Sequence, residues 1–323
     1  MLQRILVALD GSLLAERTLP YASALARAFE AEVILLRVVE TPRGAAGRAL
    51  DSFDWRMERT EAIKYLQDVK QRLHSEGIEV DLDVTAGRAC EEILEIARAR
   101  DADLLLVGTH GVGGLTEFRM ASTAHKVAFA SETSVLVVPA QNTAATDKPF
   151  SIVLVPVDCT SHSDWSVALA ARLARAESVG LSLLHVVRIP RLLDPQGTER
   201  ERQVVDELVT MNRAAASRYV ENLKRRIETP DMPVHVHVEA AEEIAPVLER
   251  RANAEESPLL VLSTRGGSRF DNGPFGSLVA VMLASTSHPV LVLREPNTRP
   301  RSDHRWTSPA GAMQPRRAIV SAE

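Results

Sequence analysis

The feature that most constrains this chain is that its pattern is written twice. Ile5-Leu-Val-Ala-Leu-Asp10 returns as Ile152-Val-Leu-Val-Pro-Val-Asp158, and Leu104-Leu-Leu-Val-Gly-Thr-His-Gly111 returns as Leu259-Leu-Val-Leu-Ser-Thr-Arg-Gly266. Ser134-Val-Leu-Val-Val-Pro139 likewise returns as Pro289-Val-Leu-Val-Leu-Arg294. A repeat of roughly 150 residues is domain-sized and far too long for a solenoid unit. What both copies keep belongs to the fold. What one copy loses marks a place where function can diverge.

Within each copy, short apolar runs alternate with longer helical patterns, the signature of parallel βα units. The first copy predicts strands at Arg4–Leu9, Glu32–Val39, Glu79–Val84, Leu104–Val107 and Ser134–Val138. The second predicts them at Ser151–Val157, Leu181–Val187, Val234–Val238, Leu259–Leu262 and Val290–Leu293. These runs are rich in Val, Ile and Leu without alternation, as strands covered on both faces should be. Helices are expected at Leu13–Phe29, Trp55–Ser75, Cys90–Arg100 and Ala121–Ala130, with a kink where Pro20 interrupts the first. The expected organisation is α/β, with two tandem open-sheet domains at 1–141 and 150–294. Each is a five-stranded parallel sheet flanked by helices. Asn142–Pro149 serves as a polar linker, and 295–323 is expected to be a disordered tail. The fifth runs are apolar and fall at a sheet edge, where an uncovered strand invites association. They are therefore expected to meet each other in an intramolecular pseudo-dimer; tandem domains with separately covered edges are the alternative, and a homodimer of whole chains stays open.

Composition excludes several classes. Net charge is −5, so no electrostatic footprint for nucleic acid or anionic membrane is visible. The apolar runs are too short to span a bilayer. The chain passes from Met1 straight into a strand, which argues against a signal peptide. Cys90 and Cys159 fall in different copies without metal-ligand spacing, so no metal site is expected and a reduced, cytoplasmic compartment fits best. Both cysteines are expected to be small apolar fillers.

The chemistry concentrates after the fourth strand of each copy. Gly108-Thr109-His110-Gly111 is followed by nine residues and then Ala121-Ser122-Thr123 at a helix start; Ser263-Thr264-Arg265-Gly266 is followed by nine residues and then Gly276-Ser277. This Gly-x-x-Gly, nine residues, Gly-Ser/Thr pattern resembles the nucleotide-binding motif of the universal stress protein family. The resemblance extends over residues 1 to about 294 and includes both copies, Asp10 and Asp158 at the ends of the first strands among them. It implies strand order 3-2-1-4-5 and an ATP site, with or without Mg²⁺, at the point where that order reverses. It also implies that Val38 and Val186, ending the second strands, contact adenine. The physics agrees: ligands of open parallel sheets sit beyond the strand carboxyl ends at such a reversal. Glycines there let backbone N–H groups approach phosphate, helix starts favour anions, and aspartates accept from ribose hydroxyls.

Each position also has a plainer reading. Asp10, Asp158, Ser122 and Ser277 can cap helices, Gly111 and Gly266 can turn the chain, and His110 can bond the backbone, its counterpart being Arg265. The copies also depart from the motif. Ala121 stands where its third glycine belongs; Ser263 replaces its first, and Ala240-Ala241 stands where the first copy has Gly87. The second loop adds Arg265 and Arg269, with Asp271. The first copy, with Gly111-Val-Gly-Gly-Leu115, is the nearer to the motif. The leading function is an ATP-binding stress-response regulator. An enzyme is the rival class, but the chain lacks a phosphate-binding Gly-Lys-Ser/Thr loop and a nucleophile–base pair. It also lacks the Ser-Gly-Gly-x-Asp-Ser and His-x-Gly-His signatures of related adenylating and pyrophosphatase enzymes. A degenerate dimerisation scaffold is the third reading.

Overall fold

The computed structural model describes residues 2–40, 52–109, 122–140, 148–190, 198–264 and 276–294. The first half runs β1 (Arg4–Leu9), α1 (Leu13–Glu16), α2 (Leu19–Phe29), β2 (Glu32–Glu40), α3 (Ser52–Ser75), β3 (Val80–Gly87), α4 (Ala89–Ala99), β4 (Leu104–Gly108), α5 (Thr123–Ala130) and β5 (Ser134–Val138). The second runs β6 (Ile152–Pro156), α6 (Ser161–Ala176), β7 (Gly180–Arg188), α7 (Glu199–Ile227), β8 (Val234–Ala241), α8 (Ile244–Asn253), β9 (Pro258–Thr264), α9 (Gly276–Ser285) and β10 (Val290–Arg294). The 295–323 tail and most of the 142–149 linker lie outside the described residues.

Each half has the expected 3-2-1-4-5 order of parallel strands, but the two sheets are not separate. They fuse into one ten-stranded sheet, β3-β2-β1-β4-β5-β10-β9-β6-β7-β8. The joint is an antiparallel pairing of β5 with β10, Leu136 opposite Leu291. The two apolar edges cover each other, each giving its unused backbone donors and acceptors to the other. Because the joint is antiparallel, the strands of one half run opposite to those of the other. Their carboxyl ends, and whatever binds there, therefore emerge at opposite ends of the molecule.

Alternation along the strands sorts side chains into two cores. Ile5, Val7 and Leu9 face one layer with Leu25 of α2, Leu66 of α3, Val167 of α6 and Val220 of α7. Leu6 faces the other with Ile93, Val127, Leu248 and Met282 of α4, α5, α8 and α9. Both cores run across the joint. On the first face α2 packs on α6: Arg27 pairs at 3.1 Å with Glu177, whose side chain is 7% exposed, and Tyr21 Oη donates to Pro149 O at 2.7 Å.

Pro20 breaks the first helix rather than kinking it. Its ring cannot coexist with a helical carbonyl four residues back, so α1 ends at Glu16 and α2 starts afresh with the proline in its first turn. Thr18 bridges the break, its hydroxyl donating to Ala15 O at 2.7 Å. The free sheet edges carry charge: Asp83 of β3 is buried at 8% exposure beside Arg100 at 3.0 Å, and the half-buried Glu239 of β8 meets Arg251 at 2.9 Å. Such charges discourage further strand pairing.

Candidate functional site

The strand order reverses between β1 and β4, and again between β6 and β9. Pairing of Val7 with Leu106 sets the ends of β1 and β4 side by side, so Asp10 and Gly108 share one rim. Asp10 Oδ1 accepts from Ser12 N at 2.9 Å, and Ser12 Oγ accepts from Ala15 N at 3.1 Å, fixing the turn into α1. Gly108 closes β4 against this turn. A Cβ there would lie 3.6 Å from Ala15 Cα and Leu14 O, an ordinary contact, so the backbone does not itself demand glycine. Val38, near the end of β2, packs on the opposite face with the α4–α5 core.

Ser122 caps α5, its Oγ accepting from His125 N at 3.2 Å. Thr123 is the exposed first residue of that helix. The remaining N–H groups of the first turn have no intrahelical acceptor, as at any helix start. Gly111, Ala121 and His110 lie outside the described residues.

The second half repeats the plan with different side chains. Asp158 Oδ1 accepts from Thr160 N at 3.0 Å and from Thr160 Oγ1 at 2.6 Å. Val186 is buried at the end of β7, and Ser263 is exposed near the end of β9. Thr264 Oγ1 is buried without a hydrogen-bond partner. Gly276 and Ser277 open α9, whereas Gly266, Arg265, Arg269 and Asp271 lie outside the described residues.

Three pairs of residues at these rims escape a reading of the sequence by motif. Cys159, following Asp158, is not a simple filler: it takes a left-handed φ of 59°, where the first half has Gly11 at φ 80°. Its Sγ lies 3.3 Å from His185 Nδ1, which is also 2.8 Å from Val157 O. Burial, with the Asp158 carboxylate, pushes the Cys159 thiol up to about 11. Tyr219 Oη donates to Asp164 Oδ1 at 2.7 Å, and burial followed by that carboxylate holds the hydroxyl well above its usual range. Tyr65 is raised in the same way by burial and Glu16. Laying the copies over each other exposes all three: Gly11 with Cys159, Arg37 with His185, and Tyr65 with Tyr219. Each half thus places an anchored aspartate after its first strand and an apolar valine near the end of its second, and a helix opens after the fourth strand, capped by Ser122 in the first half.

Similarity to known proteins bears on the fold and the family. The family model described as the universal stress protein family matches residues 1–139 and 149–294. A universal stress protein of Mycolicibacterium smegmatis is 25% identical over 298 residues, covering 90% of this chain and 96% of that protein. Universal stress protein YxiE of Bacillus subtilis is 30% identical over 148 residues, 43% of this chain and 99% of its own length. Among solved structures, a universal stress protein from Archaeoglobus fulgidus superposes with a TM-score of 0.59 at 17% identity. That match covers 90% of this chain and 98% of the other, and it bears on the fold.

Proposed function

The chain belongs to the universal stress protein family, in the tandem arrangement, and on that footing we propose that it is an ATP-binding stress-response regulator. Universal stress proteins are in general stress-response proteins rather than enzymes, so the nucleotide is read as a ligand whose occupancy is sensed, not as a substrate. The observation that carries the reading is the placement, at each reversal of strand order, of an aspartate after one strand beside a glycine or serine at the end of the next. In this proposal Asp10 and Asp158 hold ribose, and Val38 and Val186 lie against adenine. Gly108 and Ser263, with Gly111 and Gly266, leave room for phosphates. Ala121-Ser122-Thr123 and Gly276-Ser277 meet the phosphates at helix starts, and Mg²⁺ accompanies them. The functional units are 1–141 and 150–294. No helix of the described residues is long and apolar enough to cross a membrane, and the proposed compartment is the cytoplasm.

A scaffold reading has its own support: Ser122, Asp10 and Asp158 already serve the local backbone. Gentle purification, denaturation and mass spectrometry of released small molecules separates the two. ATP or ADP recovered with the protein supports the regulator. Two empty halves that also fail to take up added ATP leave the scaffold. Phosphate release above that of a Ser122→Ala/Ser277→Ala variant would turn the ligand into a substrate.

A further inference from the structure

The rim of the first half carries a cation that the protein does not use. Arg37 stands on β2 opposite Leu9, one residue before Val38. Its guanidinium lies against the backbone of Gly11, where a Cβ would stand 3.0 Å from Nη1 and 3.4 Å from Cζ. Gly11 also holds φ 80°, which favours glycine, and a side chain there would crowd the guanidinium as Arg37 now lies. Nη1 is buried without a hydrogen-bond partner, and Arg37 enters no ion pair among the described residues. Its charged neighbours are otherwise engaged. Asp10 accepts from Ser12 N, and Glu16, beside the Tyr65 hydroxyl, pairs with Arg72 at 2.7 Å. A guanidinium cannot shed its proton to relieve this, and a buried donor left unmade is costly.

The second half has no such vacancy. His185 holds the corresponding place, and its Nδ1 meets Val157 O at 2.8 Å and Cys159 Sγ at 3.3 Å. The smaller imidazole leaves room for a side chain at 159. The halves have thus exchanged Gly11 and Arg37 for Cys159 and His185 as matched pairs, one with an unpaired guanidinium and one closed on itself.

Resting on the nucleotide reading above, the geometry points to Arg37 as a ligand-contacting residue of the first half, donating to a phosphate oxygen of the bound nucleotide and making that half the tighter of the two sites. A planar, permanently charged fork of donors suits phosphate better than it suits a base or a ribose hydroxyl.

The test is equilibrium dialysis of the full chain, stripped of nucleotide, against ATP with Mg²⁺ and separately against adenosine. Wild type, Arg37→Met and Arg37→His are compared at two salt concentrations, with thermal melts of each protein without ligand. Arg37→Met should weaken the tighter ATP class roughly ten- to a hundred-fold and flatten its salt dependence. Adenosine binding should stay unchanged. Arg37→His, which copies the second half, should behave alike. The ligand-free Tm should hold or rise, since the guanidinium has no protein acceptor to lose. If wild type binds ATP and both variants bind it equally well, the Arg37 assignment falls while the nucleotide reading stands. Equal losses for ATP and adenosine with a lowered ligand-free Tm would make Arg37 structural support, which also overturns it. If wild type takes up no ATP, both readings fall together.

Discussion

Cys159 shows how much one residue can report. A cysteine in the left-handed region, beside a carboxylate and half-buried, has its thiol at about 11, against about 8.5 for an unperturbed thiol. The thiolate is the reactive form, so Cys159 should alkylate slowly with iodoacetamide at pH 8, with the rate climbing toward pH 11. The linkage has a definite sign. A folded value above the unfolded one stabilises the fold most below about pH 8.5, and that contribution fades as pH rises toward 11. Peptide mapping distinguishes Cys159 from Cys90, which burial also raises; rapid labelling of Cys159 at pH 8 in the folded protein would refute the placement. Nothing in the residue type announces this environment. The sequence places Cys159 directly after Asp158, but its φ and its imidazole neighbour arise only when β6 and β7 pair. The candidate nucleotide residues were legible because they recur at motif spacing, whereas Arg37 and His185 were not, because they differ between copies and belong to no motif.

At the level of elements, composition and order made the strands plain, since short uninterrupted Val, Ile and Leu runs admit few other uses in an α/β chain. Two features needed three dimensions. Pro20 signals an interruption, but whether a helix bends or restarts depends on what can bridge the gap, and Thr18 does so here. Apolar fifth strands signal edges needing cover, but not that the cover would be a continuous ladder with Leu136 opposite Leu291. The outer edges are closed off differently, by charge. Asp83 is 8% exposed, and burial raises its carboxyl despite Arg100 3.0 Å away. Arg100→Met should therefore cost about 1–3 kcal/mol at pH 7.5 by leaving an unpaired buried carboxylate. The penalty should shrink toward pH 4.5, because a raised carboxyl favours the fold when protonated and loses that contribution as pH rises through its folded value. Urea denaturation at the two pH values measures both; an equal loss at each would show that Asp83 is not the group responsible.

For the molecule as a whole, two cores that run across the β5–β10 joint make the halves one cooperative body. Residues 1–141 alone would leave β5 without its partner, and the simplest repair is a second copy of the same strand. That fragment should be a dimer by light scattering, and Leu136→Asp should turn it monomeric or unfold it; a stable monomer with β5 uncovered would contradict the role given to the joint. The antiparallel joint also sends the two rims to opposite ends of the molecule, so neither can borrow residues from the other. The central claim is that those rims bind nucleotide. Its most direct measurement is calorimetric titration of the stripped full chain with a non-hydrolysable ATP analogue and Mg²⁺, beside the Asp10→Ala/Asp158→Ala variant. Saturable binding by the wild type, at one or two molecules per chain, and its loss in the double variant are the expected results. Absence of binding by a folded wild type, or undiminished binding by the double variant, would contradict the claim.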